Sequence, residues 1–377
     1  MIEQQIAQVE AQVPPLRGLQ PKREVPNRLI GEAAVREDLA RSFDRDNPPA
    51  ELKAQQHLLE RLGFMGPGLD LRALCLDALT SQVLGYYRDE EKDMTIVQRS
   101  GGFGPLEQMT VAHEYTHALQ DQHFDLKSLG THEVDQSDRS LARLALVEGD
   151  ASLLMTQWAQ ANLTPQELVE LVQQSSDPSQ QETLDRLPPL LRTQLTFPYQ
   201  EGLAFALRLY TEGGWDAINA AYRSLPDSTE QILHPEKYAL AEGPVPVELP
   251  PVAQRLGVGW TQSAIDTAGE LAIRVWLEGD RLPATPDSVS AEEAAAGWGG
   301  DRVASYDGPR GAWAVVWQTA WDTPADADEF ASAAGSLVRH LGAGALVAGR
   351  GATDVLILVA SDESTLQKVK AAVGISS

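Results

Sequence analysis

Two histidines four residues apart, with a glutamate after the first, constrain this chain more than any other feature. His113, Glu114 and His117 form an HExxH motif in a run that follows Gly104-Pro105 and has no internal glycine or proline. In a helix, positions four apart lie about 40° from each other around the axis, so both imidazoles project from one face. The spacing therefore predicts that the two histidines bind one metal ion. Glu114 would act on bound water instead of binding the metal.

The alternative is a surface helix whose histidines are merely solvated. The flanking residues Val111, Ala112, Ala118 and Leu119 are apolar and favour a core helix instead. Neutral imidazole suits zinc, and a chain with one cysteine, Cys75, offers no competing thiolate cluster. We therefore expect Zn²⁺.

A catalytic zinc site needs a third protein ligand and an open position for water. The apolar run 141–155 predicts a buried helix that carries Glu148. A carboxylate inside such a helix is costly unless it is paired or bound to metal, so Glu148 is the predicted third ligand. The neighbouring Gly149 is expected to allow a close approach to the first helix. A solvated Glu148 is the alternative.

Other polar residues near the two motifs are further candidates for the same site. Asp150 is predicted to accept the second N–H of a ligand histidine, although an ideal helix turns it about 200° away from Glu148. His123 or His132 could replace Glu148 as the third ligand.

The segments VAHEYTHALQDQHFDL and LALVEGDAS carry a resemblance to gluzincin-type zincin metallopeptidases, and within these to a bacterial group of peptidase MA-like proteins. The resemblance covers roughly residues 60–240 and is specific in these two segments. It implies a zincin-like fold and peptidase chemistry. Gluzincins of the thermolysin type carry an aspartate four residues after the ligand glutamate, where this chain has Ser152.

Two β-rich segments precede the motif helix. Residues 82–87 and 94–98 flank a charged turn and predict a hairpin. In zincins a strand just before the metal helix pairs with an extended substrate, so the resemblance implies that residues 95–98 form this sheet edge. An ordinary edge without a ligand is the alternative.

A third region, residues 228–238, begins with a helix-cap pattern and stops at His234-Pro235. Hydrolysis by zinc needs a hydrogen-bond donor facing the developing oxyanion. His234 and Tyr238 are the predicted donors, with Tyr199 behind them. A loop packed by its own side chains is the alternative.

Composition limits the possible partners. Thirty basic and 54 acidic residues give a net charge of −24, which opposes binding to nucleic acid. There is no apolar segment of 18 residues and no signal-like start, so we expect no membrane span. The chain as written is expected to be soluble and cytoplasmic, or exported if a leader was removed. The sequence does not determine the oligomeric state.

The expected organisation is an N-terminal helical segment (1–60), a zincin-like core (61–250) and a C-terminal α+β domain (255–377). The core is predicted to be mostly helical with a small mixed sheet, which makes the fold class α+β. In the C-terminal domain, residues 261–278 are predicted to be helical and residues 297–301 to form a loop. Trp313 and Trp317 alternate with apolar residues and indicate core positions.

These observations predict zinc-dependent hydrolysis of peptide bonds in a peptide or protein substrate, by a metal-activated water with Glu114 as general base. An endopeptidase is favoured because no signature for binding a peptide terminus is found. The alternative is a non-catalytic, zinc-stabilised binding or assembly module. A third hypothesis is a latent peptidase whose residues 1–60 lie over the cleft.

Overall fold

The computed structural model describes residues 2–98, 102–174, 178–279, 290–341 and 344–375. Its N-terminal part combines helices with a small sheet. The elements are helix α1 (Ile2–Arg17), strand β1 (Asn27–Gly31), helices α2 (Glu32–Asp46), α3 (Pro49–Leu62) and α4 (Leu71–Gln82), and strands β2 (Gly85–Arg88) and β3 (Asp93–Gln98).

The first sheet has the strand order β1-β3-β2, with β1 parallel and β2 antiparallel to β3. The hairpin predicted from the sequence is confirmed, since Tyr86 pairs with Thr95 and Tyr87 with Met94. The prediction that residues 95–98 form the sheet edge is wrong, because β1 pairs along the other side of β3. Within the described residues, β2 is an edge strand of this sheet.

The middle part of the chain is helical. Its helices are α5 (Pro105–Phe124), α6 (Ser137–Asn162), α7 (Pro165–Gln174), α8 (Pro178–Asp185) and α9 (Pro189–Ala221). A Cβ atom on Gly149 of α6 would lie 2.0 Å from the carbonyl oxygen of Gly202 in α9, so only glycine fits there. The sequence predicted this close approach toward α5, and the structure instead places it against α9.

The rest of the chain contains a second sheet with helices on both faces. Its elements are helices α10 (Thr229–Leu233), α11 (Pro235–Ala239) and α12 (Val252–Leu256), strand β4 (Thr261–Asp266), helices α13 (Gly269–Glu278) and α14 (Ala291–Ala295), strands β5 (Trp298–Asp307) and β6 (Trp313–Trp321), helix α15 (Pro324–Val338), strands β7 (Gly344–Gly349) and β8 (Asp354–Ala360), and helix α16 (Glu363–Val373). The strand order within the described residues is β4-β5-β6-β8-β7, and all pairs are antiparallel.

Two predictions for this region are wrong. Residues 261–266 are a strand and not the start of a helix, because they pair with β5. Most of residues 297–301 belong to β5, since Trp298 pairs with Trp321 of β6. Trp298 and Trp317 are fully buried, so these tryptophans supply core volume.

Helix α1, at the start of the predicted N-terminal segment, is a core element. Ile6, Val9 and Val13 are at most 1% exposed and pack against apolar residues of α5 and α6. Because β1 also joins the first sheet, residues 1–60 are interleaved with the predicted core. This packing gives no support to a removable segment over a cleft.

The architecture is α+β with two small sheets. No helix in the described ranges is both long enough and apolar enough to cross a membrane.

Candidate metal centre

The three predicted metal ligands meet between α5 and α6. His113 Nε2 lies 3.1 Å from Glu148 Oε2 and 3.0 Å from His117 Nε2. His117 Nε2 lies 3.4 Å from the same carboxylate oxygen. Among the described residues, these three form the one group of His, Cys, Asp or Glu whose ligand atoms all lie within 4.8 Å of one another. We call them the triad.

The triad distances suit a small tetrahedral ion. With metal–ligand bonds of about 2.0–2.1 Å, neighbouring ligand atoms of a tetrahedron lie about 3.3 Å apart, close to the separations in the triad. Two imidazoles and one carboxylate are a donor set that zinc accepts, and they leave a fourth position for water or substrate. The triad could therefore hold a metal ion.

Charge couples the triad residues strongly. Burial acts to raise the pKa of Glu148, but the charges and hydrogen bonds of His117 and His113 hold it well below its usual range. Burial acts to lower the pKa of His117, but Glu148 outweighs this effect and raises it to about 9. A metal ion must therefore displace a proton from this pair, and metal affinity is expected to fall as the pH is lowered.

Glu114 lies beside the triad without joining it. The backbone N–H of Tyr87 in β2 donates to its Oε2 at 2.8 Å. A Cβ atom on Gly85 would lie 3.2 Å from Glu114 Cγ, so β2 passes directly along this side chain. Burial raises the pKa of Glu114 above its usual value, which brings the carboxylate closer to the range of a general base.

A cavity of about 350 Å³ borders His113 and Glu114. Its wall is mainly aliphatic, with Leu79, Val83, Leu84, Met155, Leu184 and Leu195. Tyr199 of α9 also lines the cavity; it is 46% exposed and its ring centroid lies 6.2 Å from that of His113. The charge of Glu148 raises the pKa of Tyr199 well above its usual value, so the hydroxyl keeps its proton.

The structure does not bring the predicted oxyanion donors His234 and Tyr238 to the triad. His234 Nε2 lies 2.9 Å from Glu270 of α13, and the Tyr238 hydroxyl donates to the carbonyl of Ser224 at 2.7 Å. Neither residue lines the cavity. Helix α10 packs against α13, so the turn after it belongs to the junction with the second sheet. Tyr199 was predicted to lie behind these two residues. In the structure it is the tyrosine that lies beside the triad.

The alternative third ligands also lie elsewhere. His123 Nε2 contacts the carbonyl of Gln20 at 2.8 Å, and His132 is exposed in the loop before α6. Neither belongs to the triad.

Asp150 does not contact a ligand histidine directly, contrary to the prediction. Gln120 lies between them: its Oε1 is 2.8 Å from His117 Nδ1, and its Nε2 donates to Asp150 Oδ2 at 2.8 Å. Gln120 was not among the predicted site residues. Its position three residues after His117, on the same helix face, is the signal that could have identified it.

Comparison with known families gives one partial match. A family model described as "Domain of unknown function (DUF8575)" matches residues 254–371, which span the five strands of the second sheet and exclude the triad. Searches of curated proteins and of solved structures gave no match. The interpretation of the triad therefore depends on its geometry.

Proposed function

We propose that this chain is a zinc-dependent hydrolase of peptide bonds, with His113, His117 and Glu148 as ligands. The observation that carries the proposal is the convergence of three ligand atoms beside a further carboxylate, Glu114, at the wall of a cavity. A purely structural zinc site usually has four protein ligands and needs no additional acid. This arrangement supports catalysis over a structural role.

A zinc ion in the triad would supply a Lewis acid that acidifies water and polarises a carbonyl group. Glu114 accepts one proton from the attacking water as the new C–O bond forms. It then returns this proton to the leaving amine as the C–N bond breaks. Its hydrogen bond from the Tyr87 N–H fixes one carboxylate oxygen and leaves the other for the proton.

Tyr199 is the proposed donor to the oxyanion. Its hydroxyl stays protonated beside Glu148, and its ring lies at the cavity that borders His113. A donor placed where negative charge develops lowers the barrier without any rearrangement during the reaction.

The cavity indicates the substrate class. Its aliphatic wall favours a peptide with an apolar side chain of leucine or phenylalanine size next to the scissile bond. The strand beside the cavity is β2, whose Gly85 lies in the cavity wall. We therefore expect an extended substrate backbone to align with β2, and not with residues 95–98.

Zinc analysis and peptide-library cleavage of the wild type and of Glu114→Gln test the proposal. We expect the variant to keep its zinc and to lose cleavage by about 10²–10⁴-fold, because the general base is removed while the ligands remain. Glu107→Gln is the matched control, since it makes the same change on the same helix at a position where glutamine also caps the helix start. Zinc binding without cleavage of any peptide by the wild type would instead support a non-catalytic module.

A further inference from the structure

We propose that Gln120 and Asp150, anchored by Arg17 of the N-terminal helix, are positioning residues that preset His117 as a metal ligand. This inference rests on the proposed metal site. It goes further because it makes metal affinity depend on α1, a helix that contributes no ligand to the triad.

The side-chain amide of Gln120 has one orientation that its neighbours allow. Its nitrogen lies 3.0 Å from the carbonyl oxygen of Val147 and 2.8 Å from Oδ2 of Asp150. Both neighbours are acceptors, so the nitrogen must face them and Oε1 must face His117. Rotating the amide by half a turn would place its oxygen against two acceptors and break both hydrogen bonds.

This orientation selects the tautomer of His117. An amide oxygen only accepts hydrogen bonds, so Gln120 Oε1 requires the proton of the neutral imidazole on Nδ1. The lone pair is then on Nε2, which is the atom that faces His113 and Glu148. Gln120 therefore fixes both the ring orientation and the nitrogen that is offered to the metal.

Asp150 is held in turn by a buried ion pair. Arg17 donates to its two oxygens from Nε at 2.6 Å and from Nη2 at 2.9 Å, and both side chains are 0% exposed. The Tyr222 hydroxyl adds a third donor at 2.9 Å. A two-bond guanidinium–carboxylate contact restricts orientation as well as distance. The orientation of His117 in α5 therefore depends on Asp150 in α6 and, through Asp150, on Arg17 in α1.

The other ligand histidine lacks such support. His113 Nδ1 is buried and has no hydrogen-bond partner within the described residues. The two imidazoles therefore differ: the second ring nitrogen of His117 is held by Gln120, and that of His113 has no such partner within the described residues.

Gln120→Met tests the proposal, with Gln122→Met as its matched control. Gln122 lies two residues further along α5, is 8% exposed, and bonds to the backbone of Lys22 and Arg23 and not to the triad. Both changes remove a buried amide from one helix, so we expect similar losses in the melting temperature of the metal-free chains. Zinc affinity, measured by competition with a chromophoric chelator, should fall about 10–100-fold for Gln120→Met alone.

Equal zinc affinity of the wild type and Gln120→Met would overturn the proposal. Equal losses in both variants would also overturn it, because they would indicate general damage to α5. Gln120→Leu and Gln122→Leu form a second pair of the same design should methionine prevent folding. Failure of the proposed function gives different results: a wild type that binds no zinc removes the site and this proposal with it. A wild type that binds zinc but cleaves nothing leaves the affinity comparison to decide the role of Gln120.

Discussion

The region around the triad and the region of the second sheet each bury a carboxylate, and they surround it differently. Asp150 is 0% exposed and accepts from Arg17, Gln120 and Tyr222. Asp301 is 4% exposed and accepts from two backbone N–H groups at the start of α13 and from two indole N–H groups.

The difference lies in what each carboxylate supports. Asp150 accepts a hydrogen bond from Gln120, whose Oε1 lies 2.8 Å from His117 Nδ1. His117 belongs to the triad, and the triad residue His113 borders the cavity. The donors to Asp301 join a strand and a helix and lead to no cluster of possible ligands in the described residues. A buried, fully bonded acid is therefore a feature of folding in general. It gains a role in the proposed metal site where it orients Gln120 and, through it, the candidate ligand His117.

Arg17→Met tests this comparison and is expected to have the largest effect on the free energy of unfolding. It leaves the Asp150 carboxylate buried without its cation, which costs about 3–5 kcal/mol. Arg36→Met is the control, because Arg36 and its partner Asp77 are both more than half exposed and such a pair contributes about 1 kcal/mol or less. Urea unfolding of the metal-free chains measures both.

The double variant Arg17→Met with Asp150→Leu separates stability from positioning. Replacing a buried ion pair by apolar side chains often restores stability. The zinc affinity of the double variant should be lower than that of the wild type, because Gln120 has lost its carboxylate acceptor. A double variant with wild-type zinc affinity would contradict the proposed link between α1 and the metal.

The next prediction concerns the side of the triad that borders the cavity. Tyr199→Phe removes the proposed oxyanion donor and should lower kcat by about 10²–10³-fold. The melting temperature should stay near that of the wild type, because the ring is kept and Tyr199 is 46% exposed. Zinc should remain bound, because the three proposed ligands are unchanged. Tyr210→Phe on the same helix is the control, since its ring packs against Trp215 away from the cavity. An unchanged kcat for Tyr199→Phe would exclude this role.

The triad could be predicted from the sequence because each pattern that identifies its residues lies within one short segment of the chain. The spacing of His113 and His117 follows from the period of one helix, and Glu148 is conspicuous as an acid in an apolar run. The pair of Arg17 and Asp150 joins residues 133 positions apart, which no local pattern reveals. One signal was present: Ile6, Val9, Val13 and Arg17 recur at helical spacing and share the buried face of α1.

The errors in the fold have the same origin. The hairpin of β2 and β3 is local and was predicted, whereas β1, which makes β3 central, comes from more than sixty residues upstream. The helix predicted over the residues of β4 is wrong because the pairing of β4 with β5 crosses about forty residues, which a local pattern does not reveal. Tyr238 was predicted ahead of Tyr199 as the tyrosine near the metal, and this order is wrong because the packing of α9 and α11, which no local pattern reveals, determines which tyrosine lies near the triad.

An effect on stability alone is expected where the comparison predicts a structural role. Asp301→Asn keeps the shape of the side chain but offers one acceptor oxygen to four donors. Each donor left unpaired costs about 1–3 kcal/mol, so the melting temperature should fall. Zinc affinity and cleavage by the folded protein should not change. A loss of zinc affinity would break the comparison, because Asp301 would then also support the triad.

The smallest effect concerns Asp138, a third buried carboxylate, which lies where the two regions meet. It is 2% exposed, accepts hydrogen bonds from Thr229, and lies so close to Gly269 of α13 that no Cβ atom would fit there. Burial raises its pKa well above the usual value, and the charges of Asp301 and Glu230 act in the same direction. Unlike Asp150, it has no ion pair with a cation within the described residues.

This raised pKa fixes the sign of a pH effect. Between an unfolded-state pKa of about 3.9 and the higher folded-state pKa, the folded chain holds a proton that the unfolded chain has released, so stability falls as pH rises. Asp138→Asn cannot titrate, so its stability relative to that of the wild type should increase as the pH rises toward 8. This relative stability should fall toward pH 4. Thermal unfolding of both chains across this range measures it, and parallel curves would contradict the prediction, because they would show that folding leaves the pKa of Asp138 unchanged.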